Sequence, residues 1–85
     1  MKHFDKIEKN FEDIQLIRLS EVISITGLSR SSIYGRLNPN STSFDPTFPR
    51  QVKLSHHASG AAAWSLKEIK NWLQSRLNAR SEGGK

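Results

Sequence analysis

The pattern of hydrophobic and polar positions predicts a short helix that begins near Ser20, the residue we expect to cap it. Val22, Ile23 and Ile25 supply its apolar side chains. Gly27 is expected to end this helix, because glycine takes a positive φ at no steric cost. So short a helix needs a partner that covers its apolar side.

A second helix follows almost at once. Ser29 is placed to cap it, and the helix is expected to run over residues 30–38. Ile33 and Leu37 lie one turn apart on the side that we expect to be buried. Two short helices joined by so tight a glycine turn predict a helix-turn-helix.

A loop and then a strand pair are predicted next. Residues 38–49 contain the three prolines of the chain, which forbid a continuous helix, and Phe44 and Phe48 are expected to pin this loop to the core. Residues 51–54 alternate polar and apolar side chains, which predicts a short strand, and residues 61–64 can return as its partner.

This hairpin would be the wing of the domain. Val52 and Leu54 are expected to point inward, and residues 55–60 are expected to form the tip. A hairpin placed after a helix-turn-helix commonly lies along the DNA backbone or the minor groove, where cationic side chains contact phosphates.

The clearest helix comes last. Ser65 and Glu68 have the spacing of a capping box, and an apolar stripe at helical spacing follows them. We expect the stripe to pack over the first two helices, with Trp64 and Trp72 as core residues. The stripe comprises Leu66, Ile69, Trp72, Leu73 and Leu77.

Segments at both ends lie outside this domain, which we place at residues 16–78. Residues 1–15 have an amphipathic pattern that favours an N-terminal helix, which could dock on the domain, pair with a second copy or stay partly unfolded. Residues 79–85 end in a polar, glycine-containing run, so we expect a disordered tail. The predicted fold class is mainly α with a small β-hairpin.

Positive charge is concentrated in the predicted domain. The chain has 13 Lys and Arg against 8 Asp and Glu, a net charge of +5. Residues 1–17 hold three lysines and four acids, so the excess lies from residue 18 onward. Such a charge favours nucleic acid as the partner, although a basic domain of another kind has a similar balance.

The composition also narrows the class of protein. The chain has 85 residues and no cysteine, which rules out a disulfide framework and a cysteine-ligated zinc finger. No nucleophile with a base and carboxylate and no phosphate-binding glycine loop is evident. No apolar run could span a bilayer or serve as a secretory signal. We therefore expect a cytoplasmic protein that is not an enzyme, with no cofactor, no membrane contact and no small-molecule substrate.

The polar side of the second helix suggests DNA binding, because small, hydroxylic and cationic side chains suit a helix in the major groove. A plain solvated helix surface is the alternative. We expect the solvent side of this second helix to comprise Ser31, Ser32, Gly35 and Arg36, with Arg30 and Tyr34 at the edges. The candidate DNA-binding residues are Ser29, Arg30, Ser31, Ser32, Tyr34, Arg36, Arg50, Lys53, His56 and His57.

The two adjacent histidines at the tip of the hairpin have two interpretations. His56 and His57 are polar enough to contact phosphate, but we favour a solvated loop tip. A metal site is not expected, because adjacent histidines point to different sides and no nearby carboxylate offers a third ligand.

Three segments together resemble the AlpA family of phage and prophage regulators over residues 16–78: IRLSEVISITGLSRSSIYGRL, FPRQVKL and AAAWSLKEIKNWLQSR. The resemblance implies a winged helix-turn-helix of the MerR and excisionase type that regulates transcription, often of an integrase gene, or assists excision of an integrated element. Family members usually carry an arginine where Gly60 stands. The resemblance implies that one residue, Lys53, matches the basic position of the wing strand. It implies that the recognition helix includes Ser29, Arg30, Ser31, Tyr34 and Arg36.

Two functions from different classes remain open at this point. The first is a sequence-specific regulator that binds double-stranded DNA, with self-association on repeated sites, because one such module reads few base pairs. The second is a protein-binding adaptor that modulates a regulator or recombinase. Salt distinguishes them, since phosphate contacts weaken steeply as salt rises and an apolar interface does not.

Overall fold

The computed structural model describes residues 14–56 and 61–83. Over these ranges the chain is mostly helical, with a small antiparallel sheet of three strands in the order β1-β3-β2. This confirms the predicted fold class of a winged helix-turn-helix. The elements in chain order are β1 (Leu16–Ile17), α1 (Leu19–Thr26), α2 (Arg30–Leu37), β2 (Val52–Lys53), β3 (Ala62–Ser65) and α3 (Leu66–Gly83).

The central strand of the sheet, β3, pairs with both of the others. The predicted hairpin is present, because Val52 lies opposite Ala63 and Lys53 opposite Ala62. The first strand was not predicted from the sequence. It pairs Leu16 with Ser65 and Ile17 with Trp64 on the other side of β3.

The first helix begins one residue earlier than the predicted cap. Arg18 is its N-cap, and the Arg18 amide donates to the Glu21 carboxylate at 2.9 Å. The prediction that Ser20 caps this helix is therefore wrong, because β1 delivers an extended residue at position 18 and the helix starts directly after it. The end of the helix was predicted correctly. Gly27 has φ 76°, and its amide donates to the Ile23 carbonyl at 2.8 Å.

The second helix begins as its sequence predicts. The Ser29 hydroxyl accepts a hydrogen bond from the Ser32 amide at 3.1 Å, which satisfies one of the free amides of the first turn. Ile33 is fully buried, and Leu37 packs against the core beside it. Leu28, in the turn between the helices, packs against the same core.

The core draws on the three helices, the sheet and the loop over residues 38–49. Phe48 anchors that loop, as predicted, while Phe44 is half-buried. Both tryptophans are core residues, as predicted. The buried hydrophobic side chains are Ile17, Val22, Ile33, Phe48, Ala63, Trp64, Ile69 and Trp72.

Three apolar side chains lie further out than expected. Val52 and Leu54 are 39% and 47% exposed, so the prediction that they point inward is wrong. Lys53 instead occupies the side of the strand that faces α1 and α2, because its partner in the sheet, Ala62, belongs to that side. Leu77, the last residue of the predicted stripe, is 47% exposed, so the part of the stripe that packs against the core ends before it.

The last helix starts where the sequence predicts and ends later. The Glu68 amide donates to the Ser65 hydroxyl at 3.1 Å. The helix continues to Gly83, so residues 79–83 are helical where we expected a disordered tail. The predicted N-terminal helix over 1–15 and the residues 57–60 of the wing tip fall almost wholly outside the described residues. No helix in the described part of the chain is long and apolar enough to cross a membrane.

Candidate nucleic-acid interface

An open groove runs between the start of α1, the exposed edge of α2 and the sheet. Its walls combine charged, hydroxyl and amide side chains, and its inner surface is formed by apolar residues of α1 and β3. The residues that line it are Arg18, Leu19, Ser20, Ile23, Arg30, Tyr34, Gln51, Lys53, Ala62 and Trp64.

Three cations border this groove from three different elements. Arg18 lies just after β1, Arg30 is the first residue of α2, and Lys53 is in β2; all three are exposed. Among the described residues that line the groove, none is an aspartate or glutamate. A concave surface bordered by like charges concentrates the positive potential, and such a site attracts polyanions.

Arg30 and Tyr34 form one side of the groove as a pair. They lie one helical turn apart, and the Arg30 guanidinium carbon lies 5.8 Å from the centre of the Tyr34 ring. This contact holds the arginine over the phenol and leaves its N–H groups free to donate. Tyr34 is 38% exposed, so its hydroxyl edge is available to a ligand in the groove.

The three serines at the start of α2 have different environments. The Ser29 hydroxyl is occupied by the helix cap and lies 3.4 Å from the Ser31 hydroxyl. Ser31 is exposed, and it is the serine most accessible to a ligand. Ser32 is half-buried, and its hydroxyl accepts a hydrogen bond from the Arg36 guanidinium at 2.7 Å.

Three residues of α2 that were expected to face solvent are half-buried. Arg36 is half-buried, and its guanidinium carbon lies 5.9 Å from the centre of the Trp72 ring. Gly35 is covered by the loop, since a Cβ added there would lie 3.4 Å from the Ser43 Cβ. The solvent placement of Ser32, Gly35 and Arg36 is therefore wrong, because the loop over residues 38–49 folds back onto that side of the helix.

The loop that covers this side is held by its own hydrogen bonds. The Thr47 amide and hydroxyl both donate to the Asp45 carboxylate, at 2.9 and 2.6 Å. These bonds, above all the one from the Thr47 hydroxyl, lower the pKa of Asp45 below its ordinary value of 3.8, and the charge of Arg36 acts in the same direction. Trp72 Nε1 donates to the Thr47 hydroxyl at 3.2 Å, so the loop is tied directly to α3.

Arg50 and His56, the remaining candidates among the described residues, do not line the groove. Arg50 is exposed in a neighbouring depression that it shares with Leu37, Pro39 and Gln51, and Gln51 borders both concavities. His56 is exposed, and His57 lies outside the described residues.

Sequence reasoning missed three residues of the groove, namely Arg18, Ser20 and Gln51. Ser20 was assigned to capping. Arg18 and Gln51 flank short strands, and their closeness to α2 depends on the pairing of β1 and β2 with β3. A basic residue immediately before the first helix was the one signal available in the sequence.

The fold and the groove define a class: a winged helix-turn-helix whose second helix and wing border one cationic concavity. The chain belongs to the AlpA family. The model of this family, described as the prophage CP4-57 regulatory protein AlpA, matches residues 15–77. The resemblance to this family inferred from the sequence is thus confirmed.

A curated relative supports the same membership. The chain is 39% identical over 67 residues to the DNA-binding transcriptional activator AlpA of Escherichia coli strain K12. The match covers 79% of this chain and 91% of that protein. No solved structure matches the chain.

Proposed function

We propose that this protein is a transcriptional regulator that binds double-stranded DNA sequence-specifically, with the duplex lying against the groove between α1, α2 and the wing. The observation that carries the proposal is the convergence of Arg18, Arg30 and Lys53 on one concavity without an acidic residue among its described lining. The related protein of Escherichia coli, a DNA-binding transcriptional activator, supports the same function.

Base recognition belongs to the first half of α2. Arg30 lies at the N-terminal end of the helix, the part that contacts base edges in helix-turn-helix complexes, and a guanidinium can donate two bonds to one guanine. Ser31 is exposed next to it and can bond to a base or a phosphate. Tyr34 supports the arginine through its ring and adds a hydroxyl at the groove edge.

Phosphate binding belongs to the residues on either side of that helix. Arg18 and Lys53 come from distant parts of the chain and can each contact a phosphate, with Ser20 and Gln51 as neutral donors in the same lining. Arg50, His56 and His57 are the candidates for contacts further along the wing. Each phosphate that is neutralised contributes a slope of about −0.9 to the log–log dependence of affinity on salt.

The regulated target is proposed to be a prophage or another integrated element, where the protein controls integrase expression or assists excision. This follows from membership of a family described as a prophage regulatory protein. One module of this size reads few base pairs, so repeated sites with self-association would supply the specificity that a single copy lacks.

A protein-binding adaptor is the second candidate, and one observation favours it. Leu16 and Val52 lie opposite Ser65 and Ala63, which are two residues apart on β3, so both belong to the same side of the sheet. Leu16 is 43% exposed and Val52 is 39% exposed, which gives the sheet apolar area on the side away from the groove. Such a surface suits a protein partner, whereas the groove suits a polyanion.

Selection of bound duplexes from a random pool at near-physiological salt tests the proposal. The enriched duplex and its scrambled version are then titrated by fluorescence anisotropy over a range of salt concentrations. We expect an enriched motif that is bound more tightly than the scrambled duplex, typically by 10³-fold or more, together with a steep salt slope. A correctly folded protein that enriches no motif would favour the adaptor.

A further inference from the structure

Arg36 has an environment unlike that of Arg18 and Arg30. Its NH1 group donates to the Ser32 hydroxyl at 2.7 Å, and its guanidinium carbon lies 5.9 Å from the centre of the Trp72 ring. Its Nε is buried, and no described residue accepts a hydrogen bond from it. The guanidinium is thus turned toward the protein rather than toward the groove that Arg30 borders.

The backbone of Arg36 is fixed as well. The Asp45 amide donates to the Arg36 carbonyl at 3.0 Å, which joins the last turn of α2 to the loop. That loop is joined to α3 in turn, because Trp72 Nε1 donates to Thr47 and Thr47 donates to Asp45. Arg36 therefore contacts α3 through its side chain and the loop through its carbonyl.

The contacts of Arg36 with α3 and the loop matter because few other contacts fix the rotation of α2 about its own axis. The helix has eight residues, and its apolar contacts with the core come from Ile33, which is fully buried, and Leu37, which is partly buried. Two side chains one turn apart define a line of contact along the helix, and a short helix can still rotate about that line. The Arg36 guanidinium, whose carbon lies 5.9 Å from the centre of the Trp72 ring, is to one side of this line and opposes such rotation.

The two sides of α2 are related through this contact. Arg30 and Tyr34 border the groove, while Ser32 and Arg36, which are one turn apart and bonded to each other, are half-buried outside its lining. A rotation of the helix that loosened the Arg36–Trp72 contact would also move Arg30 relative to the groove. The direction in which Arg30 points therefore depends on a contact on the opposite side of the helix.

We propose that Arg36 is a positioning residue: it fixes the rotation of α2 against α3 and so aims Arg30 and Tyr34 at the bases, without contacting DNA itself. This inference rests on the proposed DNA-binding function. This role needs a guanidinium that lies over the Trp72 ring and donates to Ser32 at once, and a lysine ammonium supplies the charge without the planar group of several donors.

The test compares Arg36→Lys and Arg36→Met with Arg76→Met, a control that removes an exposed arginine of α3. Each protein is titrated with the selected duplex and its scrambled version at several salt concentrations, at a temperature where circular dichroism shows that every variant is folded. We expect both Arg36 variants to lose about tenfold in specific affinity, comparable to one lost base contact, with the salt slope unchanged. Arg76→Met should match the wild type.

Other outcomes would overturn the inference. A salt slope that becomes shallower by about 0.9 in Arg36→Met, with equal loss on both duplexes, would make Arg36 a phosphate contact. Full recovery of affinity in Arg36→Lys would mean that charge alone matters. Wild-type affinity in Arg36→Met would remove any role in binding.

A measurement without DNA separates this inference from the proposed function. Amide chemical shifts of Arg36→Lys are compared with those of the wild type in the free protein. We expect changes over residues 30–35 and at the Trp72 indole, because α2 reorients against α3. Changes confined to the immediate neighbours of position 36 would contradict the positioning role, whether or not the wild type proves to discriminate DNA sequences.

Discussion

Phe48 packs edge-on against Trp72, with ring centres 5.0 Å apart and planes at 81°. One ring belongs to the loop after α2 and the other to α3, so this pair joins two segments that are distant in sequence. Trp72 is 8% exposed and also donates its indole N–H to Thr47. The position of the loop, and with it the covered side of α2, therefore depends on Trp72.

Two substitutions of Trp72 should distinguish the contribution of its packing to stability from the contribution of its hydrogen bond. We expect Trp72→Ala to lower the free energy of unfolding by about 3 to 5 kcal/mol, because it removes a nearly buried indole from the core. Trp72→Phe keeps a ring against Phe48 but loses the bond to Thr47, and that loss alone costs about 1 kcal/mol. Urea denaturation measures both, and equal stabilities for Trp72→Ala and wild type would contradict the placement of α3.

Substitutions of Gly27 should report on the turn of the helix-turn-helix. The residue has φ 76°, and a Cβ added there would meet no atom within 4 Å, so any cost comes from the backbone conformation. We expect Gly27→Ala to destabilise the domain by about 1 to 2 kcal/mol, and Gly27→Asn to cost less because asparagine tolerates positive φ. Thermal unfolding of both variants tests this order. Equal costs would mean that the turn relaxes away from positive φ.

Arg30 and Lys53 should differ in the kind of binding they support. We expect Arg30→Ala to weaken specific binding by about 1 to 3 kcal/mol and to relax the base preference, whereas Lys53→Ala should weaken all duplexes alike. Anisotropy titrations with the selected and scrambled duplexes measure both effects. Lys70→Ala, which removes an exposed charge of α3 that does not line the groove, is the control. Equal loss on both duplexes for Arg30→Ala would remove that residue from base reading.

Arg18 should contact a DNA phosphate, although the sequence pattern alone did not identify it as a candidate. We expect Arg18→Gln to make the salt slope shallower by about 0.9 while stability changes little, because the Arg18 cap contact is made by its backbone amide. Arg80→Gln removes the same charge from the last turn of α3 and should leave the slope unchanged. If the two variants have the same slope, Arg18 does not contact the backbone of DNA.

The Asp45 carboxylate should make stability depend on pH in the acid range. Hydrogen bonds from Thr47 lower the pKa of Asp45 in the folded state below 3.8, so its contribution is present above the unfolded pKa and is lost as the pH falls through the folded value. We expect Asp45→Asn to be less stable than the wild type near neutral pH, with the difference shrinking below about pH 4. Urea denaturation at several pH values measures this difference. A difference that stays constant in acid would show that the charge of Asp45 plays no part.

Local chemistry in the sequence was enough to predict the framework of the domain. Gly27 ends α1 with positive φ, Ser29 caps α2 and Ser65 caps α3, since each of these features depends on a few neighbouring residues. The burial of Ile33 and Trp72 followed in the same way from helical spacing. The motifs of the family then extended over the same region.

Tertiary structure decided how these elements meet. The two-residue strand β1 could not be predicted from the sequence, because so short a segment has no periodicity. Its pairing with β3 brings Arg18 to the groove. The sequence also did not determine which face of β2 points toward the helices, since shifting the register of a strand by one residue exchanges its two faces. That choice turned Val52 outward and Lys53 toward α2.

The sequence by itself thus determined the helix-turn-helix, the wing and the basic character of the domain, because capping, turn formation and charge are properties of neighbouring residues. Only the tertiary structure decided which side of α2 remains accessible. Helical spacing placed Arg36 on the polar side, but Arg36 is half-buried and its guanidinium lies over the Trp72 ring. The contact depends on a tryptophan in another helix, and no pattern within α2 could specify it.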